Sequence, residues 1–345
     1  MEFKLNEDQQ LMKDMFVEFT EQFVKPIAAE LDEQERFPEE LIPQLGETGL
    51  LGIPVAEEYG GAGADNMSYV LAVEEVSKAC ASTGVTISAH TSLCCWPIEA
   101  FGTEEQKQKY LPKLCSGEWI GAFALTEPNA GTDASGQQTV AVDAGDHWVL
   151  NGSKIFITNA GVADVFFVLA MTDKSQGTKG ISAFIVEKGY KGFSIGKHED
   201  KLGIRASSTC ELIFEDCIVP KENLVGELGK GFKYAMMTLD GGRVGIAAQA
   251  LGIAEGALEE TTKYITERKQ FGRRISQFQN TQFEMAQMRA QTEAAKLLVY
   301  QAACAKDDHE PFSHKAAMAK LVAARNAMDV TTRCLQLYGG YGYTK

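Results

Sequence analysis

The sequence has no G-x-G-x-x-G after a strand-like run and no G-x-x-x-x-G-K-[S/T], and its G-x-S-x-G, Gly192–Gly196, frames the strand-like Phe193–Ile195 and not a strand-to-helix turn. The two absences exclude a Rossmann dinucleotide site and a P-loop, and the placing of the third motif excludes a hydrolase nucleophile elbow. The eight cysteines form no C-x-x-C pair and the five histidines complete no zinc pattern, so no metal site is expected. Cys80, Cys94, Cys95, Cys115, Cys210, Cys217, Cys304 and Cys334 read as free thiols, with Cys94-Cys95 as small buried hydrophobes. No apolar run is long enough to span a membrane, so no membrane insertion is expected. Nor is there a basic excess: 33 Lys and Arg stand against 47 Asp and Glu, a net charge of -14. A nucleic-acid role is excluded on that ground, since phosphates need a cationic face. The opening Met-Glu-Phe-Lys-Leu has neither a signal peptide's apolar core nor an Arg-rich presequence. A reducing, cytoplasmic setting of bacterial type is expected, or a mature form cut from a precursor.

What is present is a 345-residue chain, 45% apolar and 23% charged, long enough for two or three globular domains. Leu11, Met15, Phe16, Phe19 and Phe23 recur at helical spacing after Asn6, and Pro26 is expected to kink or end that helix. Asp65 and Thr103 can cap two later helices, and Ser82 to Cys95 reads as another. Residues 1–120 thus read as a helical domain. Residues 121–225 read as a small antiparallel β-sandwich or barrel, with strands around Val140, Trp148, Ile155, Val165–Met171, Ile181–Val186, Phe193 and Cys210–Phe214. Asn151-Gly152 is the strongest hairpin signal among them. Residues 226–345 read as helical again, in three long stripes that suggest a bundle one member short of four.

Candidate chemistry lies in four stretches. Phe123-Ala-Leu-Thr-Glu-Pro-Asn-Ala-Gly-Thr-Asp-Ala-Ser-Gly136 is rich in hydroxyls and small residues. It suits either an ordinary loop or close backbone approach to a flat polar ligand. Leu239-Asp-Gly-Gly-Arg-Val-Gly245 puts three glycines inside a helix, at a cost of about 1 kcal/mol each against alanine. Close helix packing and a ligand against the helix explain this equally well. Arg268-Lys-Gln-Phe-Gly-Arg-Arg274 is either a solvated helix end or a diphosphate site. Gly339-Gly340-x-Gly342 allows backbone approach. His90, in an apolar segment, reads as a hydrogen-bonded core residue.

Together these motifs resemble the acyl-CoA dehydrogenases over essentially the whole chain, and Leu239–Gly252 is most similar to the short-chain, butyryl-CoA branch. The resemblance implies an α+β multidomain fold: an N-terminal helical domain, a middle β-domain and a C-terminal four-helix bundle, assembled as a tetramer. It implies FAD, lined by Phe123, Leu125, Thr126, Gly131 and Thr132, with Phe156, Ile157 and Thr158 on the other side of the ring. Many relatives have Trp at Phe156. Arg268, Phe271, Gln279, Gln336, Gly339 and Gly340 are implied as the dinucleotide grip supplied to a neighbouring subunit. Thr132, Asp240, Gly241, Gly242 and Arg243 are implied as acyl-CoA contacts. The implied reaction is α,β-dehydrogenation of a short-chain acyl-CoA to the trans-2-enoyl-CoA, with electrons passed to an electron transfer flavoprotein. The branch's base is a Glu in a Tyr-Glu-Gly-Thr motif, expected beyond Lys345; the isovaleryl-type position is Gly242, which cannot be a base. No catalytic residue is therefore assigned within the chain, and an impaired or inactive enzyme is expected. An oxidase of the same fold and a non-catalytic flavin- or acyl-CoA-binding subunit are the alternatives.

Overall fold

The computed structural model describes residues 4–344. The N-terminal elements are α1 (Glu7–Phe19), α2 (Lys25–Gln34), α3 (Ile42–Glu47), α4 (Asn66–Ala79), α5 (Ala81–Ser88), α6 (Trp96–Phe101) and α7 (Glu104–Cys115). The strands β1 (Gly121–Ala124), β2 (Val140–Asp143), β3 (His147–Thr158), β4 (Val165–Met171), β5 (Ile181–Glu187), β6 (Phe193–His198), β7 (Thr209–Pro220) and β8 (Leu224–Val225) follow. The chain continues through α8 (Gly231–Glu267), a small β9–β10 ribbon (Lys269–Gln270, Arg273–Arg274), α9 (Gln279–Asp307) and α10 (Ser313–Leu337). Packing groups the described residues into two compact units. One is Met1–Ala28, Asn66–Val85 and Arg243–Lys345; the other is Ala29–Asp65 and Thr86–Gly242.

Pro26 does not end the first helix. A π-helical turn, Thr20–Val24, precedes it, and Lys25 N–H donates to Thr20 C=O five residues back. The widened turn accommodates the missing N–H and the ring clash that a proline brings to an α-helix. The same device recurs ahead of Pro97. The turn Ala89–Cys95 is π-helical and Trp96 N–H donates to Thr91 C=O. Thr103 caps α7 in a capping box with Gln106, as its spacing suggests. The first two N–H groups of α4 go to a distant partner, the Asp307 carboxylate, at 2.7 Å from Asn66 and 3.2 Å from Met67.

In the helical unit α8 presses directly on α4. A Cβ added at Gly252 would lie 2.2 Å from Glu74 O, and one at Gly256 2.3 Å from Lys78 O. These two glycines serve close helix packing. Around the contact lies a buried charge cluster. Lys78 pairs with Glu75 at 3.0 Å and Glu255 at 2.9 Å. Lys296 pairs with Glu255 and, at 3.5 Å, with Glu74. Tyr300 donates to Glu74 at 2.9 Å. Glu74 is fully buried, and burial, then the charge of Glu255, pushes it up to about 8 against the pull of Lys296. Burial would raise Glu255 too, but Lys78 and Lys296 bring it down to about 2.

In the other unit an eight-stranded sheet runs β6-β7-β3-β2-β4-β5-β8, with β1 paired to β4. It is mostly antiparallel, but β1 and β2 each pair with β4 in parallel, which short-range patterning does not disclose. All seven residues of β4 are buried, which is why Val165-Phe-Phe-Val-Leu-Ala-Met is continuously apolar. Asn151-Gly152 makes no hairpin. It lies within β3 at a register shift opposite β7, and the reversal occurs earlier, at Ala144–His147. Gly152 (φ +144) is required because a Cβ there would sit 2.5 Å from Thr139 Oγ1. His90 is satisfied on both nitrogens: Nε2 faces Leu114 C=O at 3.1 Å and Nδ1 accepts from Gly121 N–H at 3.0 Å. It is a neutral core residue, with burial pulling its pKa down to about 4.

The charge cluster yields a test. A carboxyl whose folded pKa lies above its unfolded value favours the folded state below the unfolded pKa, and that contribution is lost as pH rises through the folded pKa. For Glu74 the window runs from 4.5 to about 8. Glu74→Gln should therefore flatten the fall in stability across this window, measured by urea unfolding at several pH values. An unchanged slope contradicts the assignment.

Candidate functional site

The loop after β1 is built on a buried ion pair. Lys154, fully buried in β3, donates to Glu127 Oε1 at 2.8 Å, Leu125 C=O at 3.1 Å and Gln137 Oε1 at 2.9 Å. Glu127 also accepts from the backbone N–H of Gln138 at 2.6 Å and Thr139 at 3.1 Å. A tight turn closes between Glu127 and Ala130, each N–H donating to the other's C=O at 3.1 Å. Ile155 N–H donates to Thr126 C=O at 2.9 Å. The stretch from Phe123 to Gly136 is thus a fixed frame. Burial lowers Lys154 to about 8, opposed by Glu127. Burial would raise Glu127, but Lys154 and the Gln138 and Thr139 donors outweigh it and hold the carboxyl below its usual value.

The frame leaves an open rim. A side chain at Gly131 would meet nothing within 4 Å, and Thr132 is exposed. The Thr126 N–H has no acceptor among the described residues. Phe156, one residue after the bonded Ile155, is 59% exposed and held at φ +60. That is a rare and strained conformation for a bulky residue. Ile157 is buried and Thr158 half-buried. Phe123 is half-buried and stacks on Phe167 at 6.0 Å. Leu239 of α8 packs on the same hydrophobic core as Phe123.

The π turn Ala89–Cys95 links β1 to α8. Gly121 lies against Cys94, and Gly242 lies against Leu93, whose Cδ2 would be 2.6 Å from an added Cβ. Asp240 and Arg243 are half-buried, three residues apart on α8.

In the helical unit, Arg268, Gly339 and Gly340 share one groove of about 500 Å³ with Tyr264, Tyr338 and Tyr341. The Arg268 guanidinium lies 5.6 Å from the Tyr341 ring centre, and Tyr264 stacks on Tyr338 at 4.3 Å. Side chains added at Gly339 or Gly340 would meet nothing within 4 Å. Phe271, Gln279 and Gln336 are exposed but do not line this groove. Phe271 and Gly272, both at positive φ, form the two-residue turn of the β9–β10 ribbon, and Phe271 is 92% exposed.

Sequence reasoning passes over Glu127 and Lys154 as members of the site. The available signal is a lysine beside the apolar Ile155-Phe156-Ile157 run of a strand, since a lysine that turns inward needs a buried counter-charge. Among the described residues no group of three or more His, Cys, Asp and Glu could hold a metal ion, and no helix is long and apolar enough to cross a membrane. Every cysteine is a free thiol, and all but Cys304 are buried.

Removing one partner of a buried pair leaves an uncompensated charge. Lys154→Met should cost about 3–5 kcal/mol in chemical denaturation; a loss below about 1 kcal/mol, the range of an exposed pair, contradicts the reading. Phe156→Gly should leave stability equal or higher, because glycine relieves the positive φ and little buried area is lost. A cooperative unfolding midpoint well below wild type would show that the ring supports the fold.

Three models of acyl-CoA dehydrogenase domains match in order: the N-terminal domain over residues 6–118, the middle domain over 122–217 and the C-terminal domain over 229–345. The short-chain specific acyl-CoA dehydrogenase of Clostridium acetobutylicum is 63% identical over 345 residues, covering 100% of this chain and 91% of that protein. The solved butyryl-CoA dehydrogenase of Megasphaera elsdenii is 53% identical with a TM-score of 0.98, covering 100% of this chain and 91% of that one. A chain from a structural study of the electron transferring flavoprotein of Acidaminococcus fermentans and flavin-based electron bifurcation is 60% identical. Its TM-score is 0.99 and the match covers 100% of this chain and 90% of that one.

Proposed function

The chain belongs to the acyl-CoA dehydrogenase family, and from that premise we propose that it is an FAD enzyme acting on short-chain, butyryl-like acyl-CoA thioesters. The observation that carries the flavin site is Phe156. It is a large, mostly exposed aromatic held under backbone strain, one residue from Ile155, which bonds to a loop whose Thr126 N–H has no acceptor among the described residues. These residues fit a flat ring with polar edges: an exposed aromatic face, a fixed backbone donor, and open space at Gly131. Phe123, Leu125, Thr126, Gly131 and Thr132 would line it, with Phe156, Ile157 and Thr158 on the opposite side. In the groove of the helical unit, Arg268 can act as a fork donor to a diphosphate, and Gly339 and Gly340 admit it close to the backbone. Phe271, Gln279 and Gln336 would complete this grip for a neighbouring subunit's cofactor in a tetramer.

FAD, when bound, supplies the hydride acceptor. The chain's residues bind and orient. Thr132, Asp240, Gly241, Gly242 and Arg243 would contact the acyl-CoA, with the glycines keeping that face of α8 low. Hydrogen-bond donors aimed at the thioester carbonyl stabilise charge that develops when the α-proton leaves. The base is not assigned among residues 1–345, and Gly242 excludes the position on α8. The expectation of an impaired enzyme finds no support in relatives matched along the entire chain. An electron transfer flavoprotein is the proposed acceptor and the cytoplasm the proposed setting.

The test is an anaerobic spectral titration of the flavin-loaded protein with acyl-CoAs of increasing length. Loss of the oxidised-flavin band with butyryl-CoA at lower concentration than with long-chain thioesters is expected. No bleaching by any of them would overturn the proposal. Reoxidation by an electron transfer flavoprotein faster than by air separates a dehydrogenase from an oxidase. Ligand-induced spectral perturbation without bleaching would identify a binding subunit.

A further inference from the structure

Lys154 does more than close a loop. Its ammonium sits 3.1 Å from the Leu125 carbonyl oxygen, and the N–H of that same peptide group belongs to Thr126. The peptide is restrained again one atom group further on, where Ile155 N–H donates to Thr126 C=O at 2.9 Å. The amide thus has a cation on its oxygen, a fixed orientation, and an N–H with no acceptor among the described residues. A hydrogen bond or charge on a carbonyl oxygen draws density from the amide and makes the N–H a stronger donor, more so away from water. Lys154 is fully buried, so water does not screen this effect.

We propose that Lys154 is a positioning residue for the cofactor: through the Leu125–Thr126 peptide it sets the place and strength of the Thr126 N–H donor, and thereby the reduction potential of the bound flavin. This rests on the flavin reading of the loop given above. A donor aimed at the pyrimidine edge favours the more negatively charged, reduced form. Glu127 tempers the cation at 2.8 Å and divides its own charge between Lys154 and the Gln138 and Thr139 amides. The two members of the pair therefore act on the potential in opposite directions, which a purely structural pair does not require.

The test uses Lys154→Met, Glu127→Gln and the double variant E127Q/K154M, in which the pair is replaced by groups of similar size without net charge. FAD affinity is read by flavin fluorescence and the midpoint potential by anaerobic spectroelectrochemistry, neither of which depends on turnover. Expected is a potential highest in E127Q, then wild type, then E127Q/K154M, with K154M lowest. FAD affinity should fall about tenfold in K154M, on the scale of one hydrogen bond to a charged group. If K154M does not fold, the double variant carries the test, with a potential below wild type expected. Wild-type potential and affinity in whichever of these two variants folds would overturn the inference while leaving the flavin site intact. A wild-type protein that takes up no FAD would overturn both it and the proposed function.

Discussion

The ion pair between Glu127 and Lys154 is the constraint on which the site depends. Two charges held out of water cost several kcal/mol each, and their attraction offsets this only when the remaining donors and acceptors are also satisfied. Here they are. Lys154 meets a carboxylate, a carbonyl and an amide oxygen, and Glu127 meets two further backbone N–H groups. Five hydrogen bonds joining three segments converge on one buried point. A stretch whose composition is that of a flexible loop becomes as fixed as the strands beside it. The Thr126 N–H, with no acceptor among the described residues, and the exposed Phe156 ring are then held near each other through the Ile155–Thr126 hydrogen bond.

Proline and glycine organise the rest of the scaffold in ways that short-range rules describe only partly. Both π turns stand immediately ahead of a proline near the start of the next helical segment, Pro26 and Pro97. The second carries His90, Leu93 and Cys94 toward β1 and α8. Gly252 and Gly256 let α8 approach the α4 backbone, and the buried Glu74 and Glu255, met by the half-buried Lys78 and Lys296, are the electrostatic consequence of that approach. Gly242 differs, because its near neighbour is a side chain, Leu93, that can move.

Much of this is legible in the sequence because it is local. The apolar period discloses α10 from Ser313 to Leu337, and Thr103 with Gln106 announces α7. The continuous apolar run marks β4. The family motifs bring Arg268, Gly339 and Gly340 to one groove and Thr126 and Phe156 to one rim. What is hidden depends on partners distant in sequence. Asn151-Gly152 carries a hairpin's chemistry, but pairing with β7 makes it part of a continuous bulged strand. The Asp307 cap on α4 spans 241 residues. Glu127 and Lys154 are 27 residues apart and ordinary as residue types, so only the folded sheet reveals that they meet.

The central claim is that the Phe123–Gly136 frame, with Phe156 beside it, holds the flavin. Amide hydrogen exchange with and without FAD tests this most directly. The account predicts that FAD slows exchange at Thr126 and in the peptides spanning residues 125–132 and 156–158, with a second protected region around Arg268 and Gly339. FAD binding with no change at Thr126 and its neighbours, or protection confined to other segments, would contradict it.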